Sequence, residues 1–187
     1  MDKKIIRKNM LEIRNRFSQQ QRKQKSAMIW QHFMQTSQYH KADIIFTYVS
    51  MNTEVETTPF FEKIWKDGKK IAVPITEKNR QMSFVYLNKL EELTELQWGI
   101  PEPNKEKSVL AEPTQKSLFV VPALAVDKMG NRIGYGGGYY DTYFSKYQYG
   151  LKMGFIFSAQ QLEKIEALVV TDIALDGVVT EKGILLY

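Results

Sequence analysis

The sequence predicts an α/β domain: a mainly parallel sheet with helices on both faces. Three observations carry that expectation. At 187 residues and 43% hydrophobic composition, the chain suits one sizeable core. Short apolar runs rich in β-branched and aromatic residues recur along it, and segments of helical period separate them, as crossovers between parallel strands require.

The elements follow in order. From Asp2 to about Phe17, Ile6, Met10, Ile13 and Phe17 form one apolar stripe at helical spacing. At about 100° per residue, Lys3, Arg7 and Arg14 cluster roughly 70° round from its centre. Ser18 with Gln21 has capping-box spacing and opens a second helix to about Thr36, whose core side chains are Met28, Ile29, Phe33 and Met34. Asp43 to Val49 reads as a buried strand. Thr58-Pro59 starts a helix, with Thr58 as cap and Pro59 at its first position, and Asp67-Gly68 ends it. Strands are expected at Lys70–Pro74, Met82–Leu87, Leu118–Pro122, Met153–Phe157 and Leu168–Val170. Pro101, Pro103 and Pro113 mark a loop between strands, so residues 1–187 form a single domain, three-layered and Rossmann-like.

Composition excludes several chemistries. With no cysteine there is no disulfide, thiol nucleophile or thiolate ligand, and His32 and His40 are too few for a histidine-built metal site. Neither a signal-peptide core nor an apolar run long enough to cross a bilayer is present, so a cytoplasmic protein with no membrane partner is expected. The formal charge of +5 is dispersed, with no basic block of five or more, which fits a solvated basic surface as well as it fits an anionic ligand.

The most informative stretch is Gly130-Asn131-Arg132-Ile133-Gly134-Tyr135-Gly136-Gly137-Gly138-Tyr139-Tyr140-Asp141, between a strand and a helix. Glycines let backbone amides approach a ligand closely, and a helix N-terminus favours phosphate. Arg132 adds a fixed fork for phosphate oxygens, and Asp141 could meet a divalent ion carried by a nucleotide. Three glycines are equally the mark of a plain turn, and neither a Walker A loop nor a dinucleotide fingerprint is present. At the end of the Asp43–Val49 strand and before a helix, Glu54 could accept paired N–H donors from an amino-pyrimidine edge, or merely complement a helix dipole. Trp98, in a loop stiffened by Gly99, Pro101 and Pro103, suits either a flat apolar wall or the core. Asp172 and Asp176 could assist a magnesium ion or form turns.

Taken together these stretches resemble the 5-formyltetrahydrofolate cyclo-ligase family. The resemblance runs through Lys3-x-x-x-Arg7, Ser50-Met51-x-x-Glu54-Val55-x-Thr57, Trp98-x-Ile100-Pro101-x-Pro103, Val121 to Asp127, Gly130 to Asp141 and Asp172-x-x-x-Asp176. It departs at Ala123, where glycine is expected, at Val126, where an aromatic is common, and at Thr142, where arginine often follows the aspartate. The resemblance implies that Lys3, Arg7, Arg132 and the loop Gly134, Tyr135, Gly136, Gly137, Gly138, Tyr139 and Tyr140 hold ATP. It also implies that Asp141 and Asp172 serve Mg²⁺, and that Val49, Met51, Glu54, Trp98, Tyr135 and Tyr139 line a folate pocket. Arg132 and Tyr139 are the residues it places nearest the chemistry.

The reaction so implied consumes ATP to phosphorylate the formyl oxygen of 5-formyltetrahydrofolate, after which N10 closes the ring to 5,10-methenyltetrahydrofolate. It asks the protein for positioning and charge neutralisation and for no side-chain nucleophile. The expected partners are these small molecules, in a monomer or homodimer with no nucleic acid. Two other readings compete. A basic RNA-binding module could use tyrosines 135, 139, 140, 143, 147 and 149 for stacking, but no RRM, KH or OB signature accompanies them. An α/β enzyme for another phosphorylated metabolite would have little use for both Glu54 and Trp98.

Overall fold

The computed structural model describes residues 2–97 and 99–187, and of Lys78 and Glu95 only the backbone. Its centre is a seven-stranded sheet. Strands β1 (Ile44–Thr47), β2 (Lys70–Thr76) and β3 (Met82–Leu87) form one half, and β6 (Ser117–Pro122), β9 (Leu151–Phe155), β11 (Gly177–Thr180) and β12 (Gly183–Leu186) the other. The spatial order is β12-β11-β9-β6-β1-β2-β3. The five inner strands are parallel, and β3 and β12 close the edges antiparallel. A hairpin of β4 (Leu93–Gln97) and β5 (Ile100–Pro103) projects beside β2, and a small sheet pairs β7 (Ala125–Asp127) with β8 (Arg132–Ile133) and β10 (Gln161–Leu162).

The pleat divides the core into two faces. Ile45 of β1 points to one side and Phe46 to the other, each fully buried. Helices α2 (Gln19–Met34), α3 (Ser37–Lys41) and α4 (Phe61–Lys66) cover the first face. There Trp30 and Phe33 each pack on Phe155 at 5.0 Å between ring centroids, while the Trp30 indole donates to the Glu56 carbonyl at 2.7 Å. Helix α5 (Tyr139–Lys146) covers the second, setting Tyr143 and Phe144 against Phe84 and Phe119. Helix α1 (Lys3–Asn15) packs elsewhere: Ile6 and Met10 meet Leu124, Ala125 and Ile133 on the small sheet.

Local signals account for most of the boundaries. Asp2 caps α1 through the Lys4 amide, and the Ser18–Gln21 capping box at the start of α2 is complete in both directions. Four expectations are corrected, the first being that Met28 is a core side chain: it is 45% exposed, and Trp30 is buried instead. Thr58 does not cap a helix but lies within a 3₁₀ turn, Thr58–Phe60, and α4 begins only at Phe61. The neighbouring Thr57 hydroxyl instead donates to the Tyr48 carbonyl and accepts from the Ser50 amide, tying the strand end to this turn. Leu168–Val170 is not a strand: it is an exposed loop, with Val170 fully exposed, and β11 takes the place beside β9. The segment read as a proline-marked loop contains the β4–β5 hairpin.

Candidate active site

At the carboxyl edge of β1, β2 and β6 the chain encloses a cavity of about 970 Å³. Ligands bind at this edge in open parallel sheets, and the volume suits a large ligand or two smaller ones. Every site residue implied by the family resemblance lines this one cavity, except Trp98, which lies outside the described residues; Asp176, the other candidate carboxylate, does not, and accepts instead from the Lys152 amide and pairs with Lys152 Nζ. Val49, Met51 and Glu54 come from the segment after β1. Pro74 and Thr76 come from the end of β2, Ile100 and Glu102 from the hairpin, and Lys3 and Arg7 from α1.

The glycine turn runs from β8 into α5. Gly138 stands before the helix in a left-handed conformation (φ 72°) and Gly136 has φ 105°, both positions that favour glycine. A Cβ on Gly136 would lie 3.3 Å from the Arg7 guanidinium carbon, so the bare backbone also lets Arg7 close on the turn. Arg7 Nε donates to the Gly134 carbonyl at 2.9 Å.

Two of the expected phosphate-binding cations are already paired with the two expected metal-binding carboxylates. Lys3 Nζ lies 2.8 and 2.6 Å from the Asp172 oxygens, and Asp172 also accepts from the Val169 amide. Arg132 donates to Asp141 Oδ1 at 2.9 Å and to the Ile173 carbonyl. Its guanidinium is therefore an anchor between α5 and the 172–173 loop as well as a wall of the cavity. Asp141 Oδ1 accepts from the Ile173 amide too, at 3.0 Å.

At the other end, Glu54 is held from two directions. Its Oε1 accepts from the Tyr135 hydroxyl at 2.5 Å and its Oε2 from the Met51 amide at 2.9 Å, while Arg14 Nη1 donates to the same tyrosine at 2.6 Å. Arg14 is 3% exposed and anchors its other nitrogens on Thr53 Oγ1. Burial pushes the Glu54 carboxyl above its ordinary value, outweighing the lowering from Tyr135, the Met51 amide and Arg14. Glu102 is likewise raised by burial, against hydrogen bonds from the Thr76 amide and hydroxyl that lower it. The Tyr140 hydroxyl is buried with no hydrogen-bond partner among the described residues, and burial raises its pKa. A buried hydroxyl on a cavity wall calls for a ligand or water partner. The Tyr139 hydroxyl lies 3.5 Å from the Glu77 carbonyl, too far for a firm bond.

The residues present fit a magnesium ion brought by a polyphosphate. Among the described residues no group of three or more His, Cys, Asp or Glu could cage a metal alone. Magnesium, however, takes one or two carboxylates with substrate phosphates and water, and Asp141 and Asp172 line the same cavity.

Among the polar residues of this cavity or its support that sequence reasoning missed are Arg14, Thr76, Glu102 and Arg80. Arg14 sits on the cationic edge of the first helix, but nothing local distinguishes a buried arginine from a solvated one. Arg80 lies in the β2–β3 turn, where the two cations of Lys78-Asn79-Arg80 carry no motif.

A mainly parallel sheet with a cation-flanked glycine turn at its carboxyl edge, facing the half-buried Glu54 carboxylate, defines an α/β protein whose cavity has a cationic end and a carboxylate end. Comparison with known proteins agrees. The sequence model of the 5-formyltetrahydrofolate cyclo-ligase family matches residues 1–181, and the chain belongs to that family. It is 32% identical over 126 residues to the probable 5-formyltetrahydrofolate cyclo-ligase of Schizosaccharomyces pombe, covering 66% of this chain and 62% of that one. It is also 32% identical over 154 residues to the mitochondrial 5-formyltetrahydrofolate cyclo-ligase of Arabidopsis thaliana, covering 70% and 56%. The chain thus spans less than two thirds of the length of these two relatives. The NMR structure of Aquifex aeolicus 5,10-methenyltetrahydrofolate synthetase superposes with a TM-score of 0.87 at 28% identity, covering 100% of this chain and 93% of that one. Among the described residues no helix is long and apolar enough to cross a membrane.

Proposed function

We propose that the protein converts 5-formyltetrahydrofolate and ATP into 5,10-methenyltetrahydrofolate, ADP and phosphate, with Mg²⁺ accompanying the nucleotide. The observation that carries this reading is the presence, in one cavity, of the Arg7-flanked glycine turn and the half-buried Glu54 carboxylate. Family membership and the names of the relatives support the same reaction.

The folate end is read as follows. The 2-amino and ring N–H groups of the pterin meet Glu54, which Tyr135 and Met51 hold in place, while Val49, Met51 and Ile100 supply apolar wall. The phosphate end takes the glycine-turn amides with Arg7, Lys3 and Arg132. The formyl oxygen is a poor leaving group, so ring closure stalls until it is activated. In-line attack by that oxygen on the γ-phosphorus breaks the bond to the β,γ-bridging oxygen and releases ADP, leaving an iminium phosphate. N10 then bonds to the activated carbon and loses its proton, and phosphate departs with the C–O electron pair. Bound Mg²⁺ would offset phosphate charge, with Asp141 and Asp172 the carboxylates to hold it. The Lys3–Asp172 and Arg132–Asp141 pairs offset two of the cavity's cations. The protein's part is positioning and charge stabilisation inside a desolvated cavity.

The test is absorbance in the methenyl-folate band on mixing pure protein with 5-formyltetrahydrofolate and Mg²⁺, with and without ATP. An ATP-dependent rise abolished by chelating magnesium is expected. A folded protein that gives no rise overturns the reading.

A further inference from the structure

The cavity carries a fourth cation whose charge no carboxylate balances. Lys3, Arg7, Arg80 and Arg132 all line it. Asp172 and Asp141 pair with Lys3 and Arg132. Among the described residues Arg7 and Arg80 have no carboxylate partner, and Arg80 makes no hydrogen bond at all. These two rest on the same glycine turn. Arg7 reaches the Cβ position of Gly136, and Arg80 reaches that of Gly138 with Cδ at 3.6 Å and Nη1 at 3.8 Å.

The chain holds Arg80 there at a conformational cost. The turn between β2 and β3 closes with the Glu77 amide on the Gln81 carbonyl at 2.9 Å. Inside it, Asn79 and Arg80 are both left-handed, at φ 61° and 59°. Asparagine tolerates that region and arginine does not favour it, so an extended or right-handed Arg80 would be the cheaper arrangement. Backbone outliers of this kind cluster at ligand clamps.

Resting on the cyclo-ligase reading, we infer that Arg80 is a phosphate-binding residue that grips the polyphosphate of the nucleotide from across the glycine turn. The turn's amides and Arg7 then meet one part of the chain of phosphates and the Arg80 fork another. None of the motifs that carry the family resemblance includes this residue. A guanidinium suits the role because its planar fork takes two phosphate oxygens at once.

The experiment is calorimetric titration of MgATP into the wild type, Arg80→Ala and Arg80→Lys, with KM for ATP and for 5-formyltetrahydrofolate measured alongside. Loss of charge-assisted bonds predicts a roughly 10- to 150-fold weaker ATP affinity for Arg80→Ala. Arg80→Lys falls between, KM for the folate stays unchanged, and so does the thermal midpoint, because Arg80 is exposed and unbonded. Unchanged ATP affinity in Arg80→Ala overturns the proposal, as does a loss confined to the folate, which would make the folate's own carboxylates the ligand. A wild type that binds MgATP yet forms no methenyl product sinks the cyclo-ligase reading, while the Arg80→Ala affinity still decides the role of Arg80. A wild type that binds no nucleotide overturns both.

Discussion

The Tyr135 hydroxyl donates to Glu54 Oε1 across 2.5 Å, linking the glycine turn to the segment after the first strand. Behind it Arg14 holds the same oxygen at 2.6 Å, so an arginine, a phenol and a carboxylate stand in line. Tyr135→Phe cuts this line at its middle and leaves an Arg14 N–H facing no acceptor. KM for the folate is expected to rise roughly 5- to 150-fold, corresponding to about 1–3 kcal/mol for a buried group left unmatched. Steady-state kinetics with both substrates varied checks it; KM for ATP should move far less.

The raised carboxyl of Glu54 gives a pH signature. Its native state keeps the proton beyond the ordinary glutamate range, so its contribution to stability is full below the unfolded value and is lost as pH rises through the higher folded value. Folate affinity runs the other way, because only the ionised form accepts two N–H bonds, and it should climb through that same window. Glu54→Gln is expected to flatten both profiles. A folate affinity that varies with pH identically in wild type and Glu54→Gln would remove Glu54 from ring recognition.

Lys3 and Asp172 make a test of the charge pairs. Both side chains are about one fifth exposed, so solvent screens the pair and its loss should cost about 1 kcal/mol or less of stability. Asp172→Asn is therefore expected to shift the thermal midpoint little while raising the Mg²⁺ concentration needed for half-maximal rate. A large midpoint shift with an unchanged Mg²⁺ dependence would make the pair structural.

Asp127 sets the approach to the site. Fully buried, it accepts from the amides of Met129, Asn131 and Ile165 and from the Asn131 side chain, shaping the turn that delivers Arg132. Burial alone would raise its carboxyl, but those donors outweigh it and hold it below the usual range. Its stabilisation is thus present above the unfolded value and lost as pH falls through the folded one. Asp127→Ala is expected to cost about 3 kcal/mol, or roughly 6–12 °C in Tm for a chain of this size. Thermal unfolding of the two proteins measures it.

Much of this was legible in the chain. The first two helices follow from apolar spacing and a capping box, and the inner strands from their β-branched and aromatic runs. The site was legible where a motif repeats backbone needs, as in the glycine turn. It was illegible where long-range packing decides. Leu168–Val170 has a strand's composition, but the sheet already had a parallel neighbour for β9 in β11. Thr58-Pro59 has the signature of a helix start, but the Thr57 hydroxyl on the Tyr48 carbonyl ties this point to the strand end and only a 3₁₀ turn forms there. Arg14 is buried only because Tyr135, 121 residues away, meets it.

Lys3 and Asp172 lie 169 residues apart in the chain and meet at the cavity. A ribosome makes the first of them long before the second, so this ion pair cannot form until all but the last fifteen residues have been made. Contacts of such separation carry the largest loop-closure entropy and tend to form last. In a nascent chain this corner of the cavity therefore waits for the stretch that leads into β11 and β12, and its closure reports an almost complete chain.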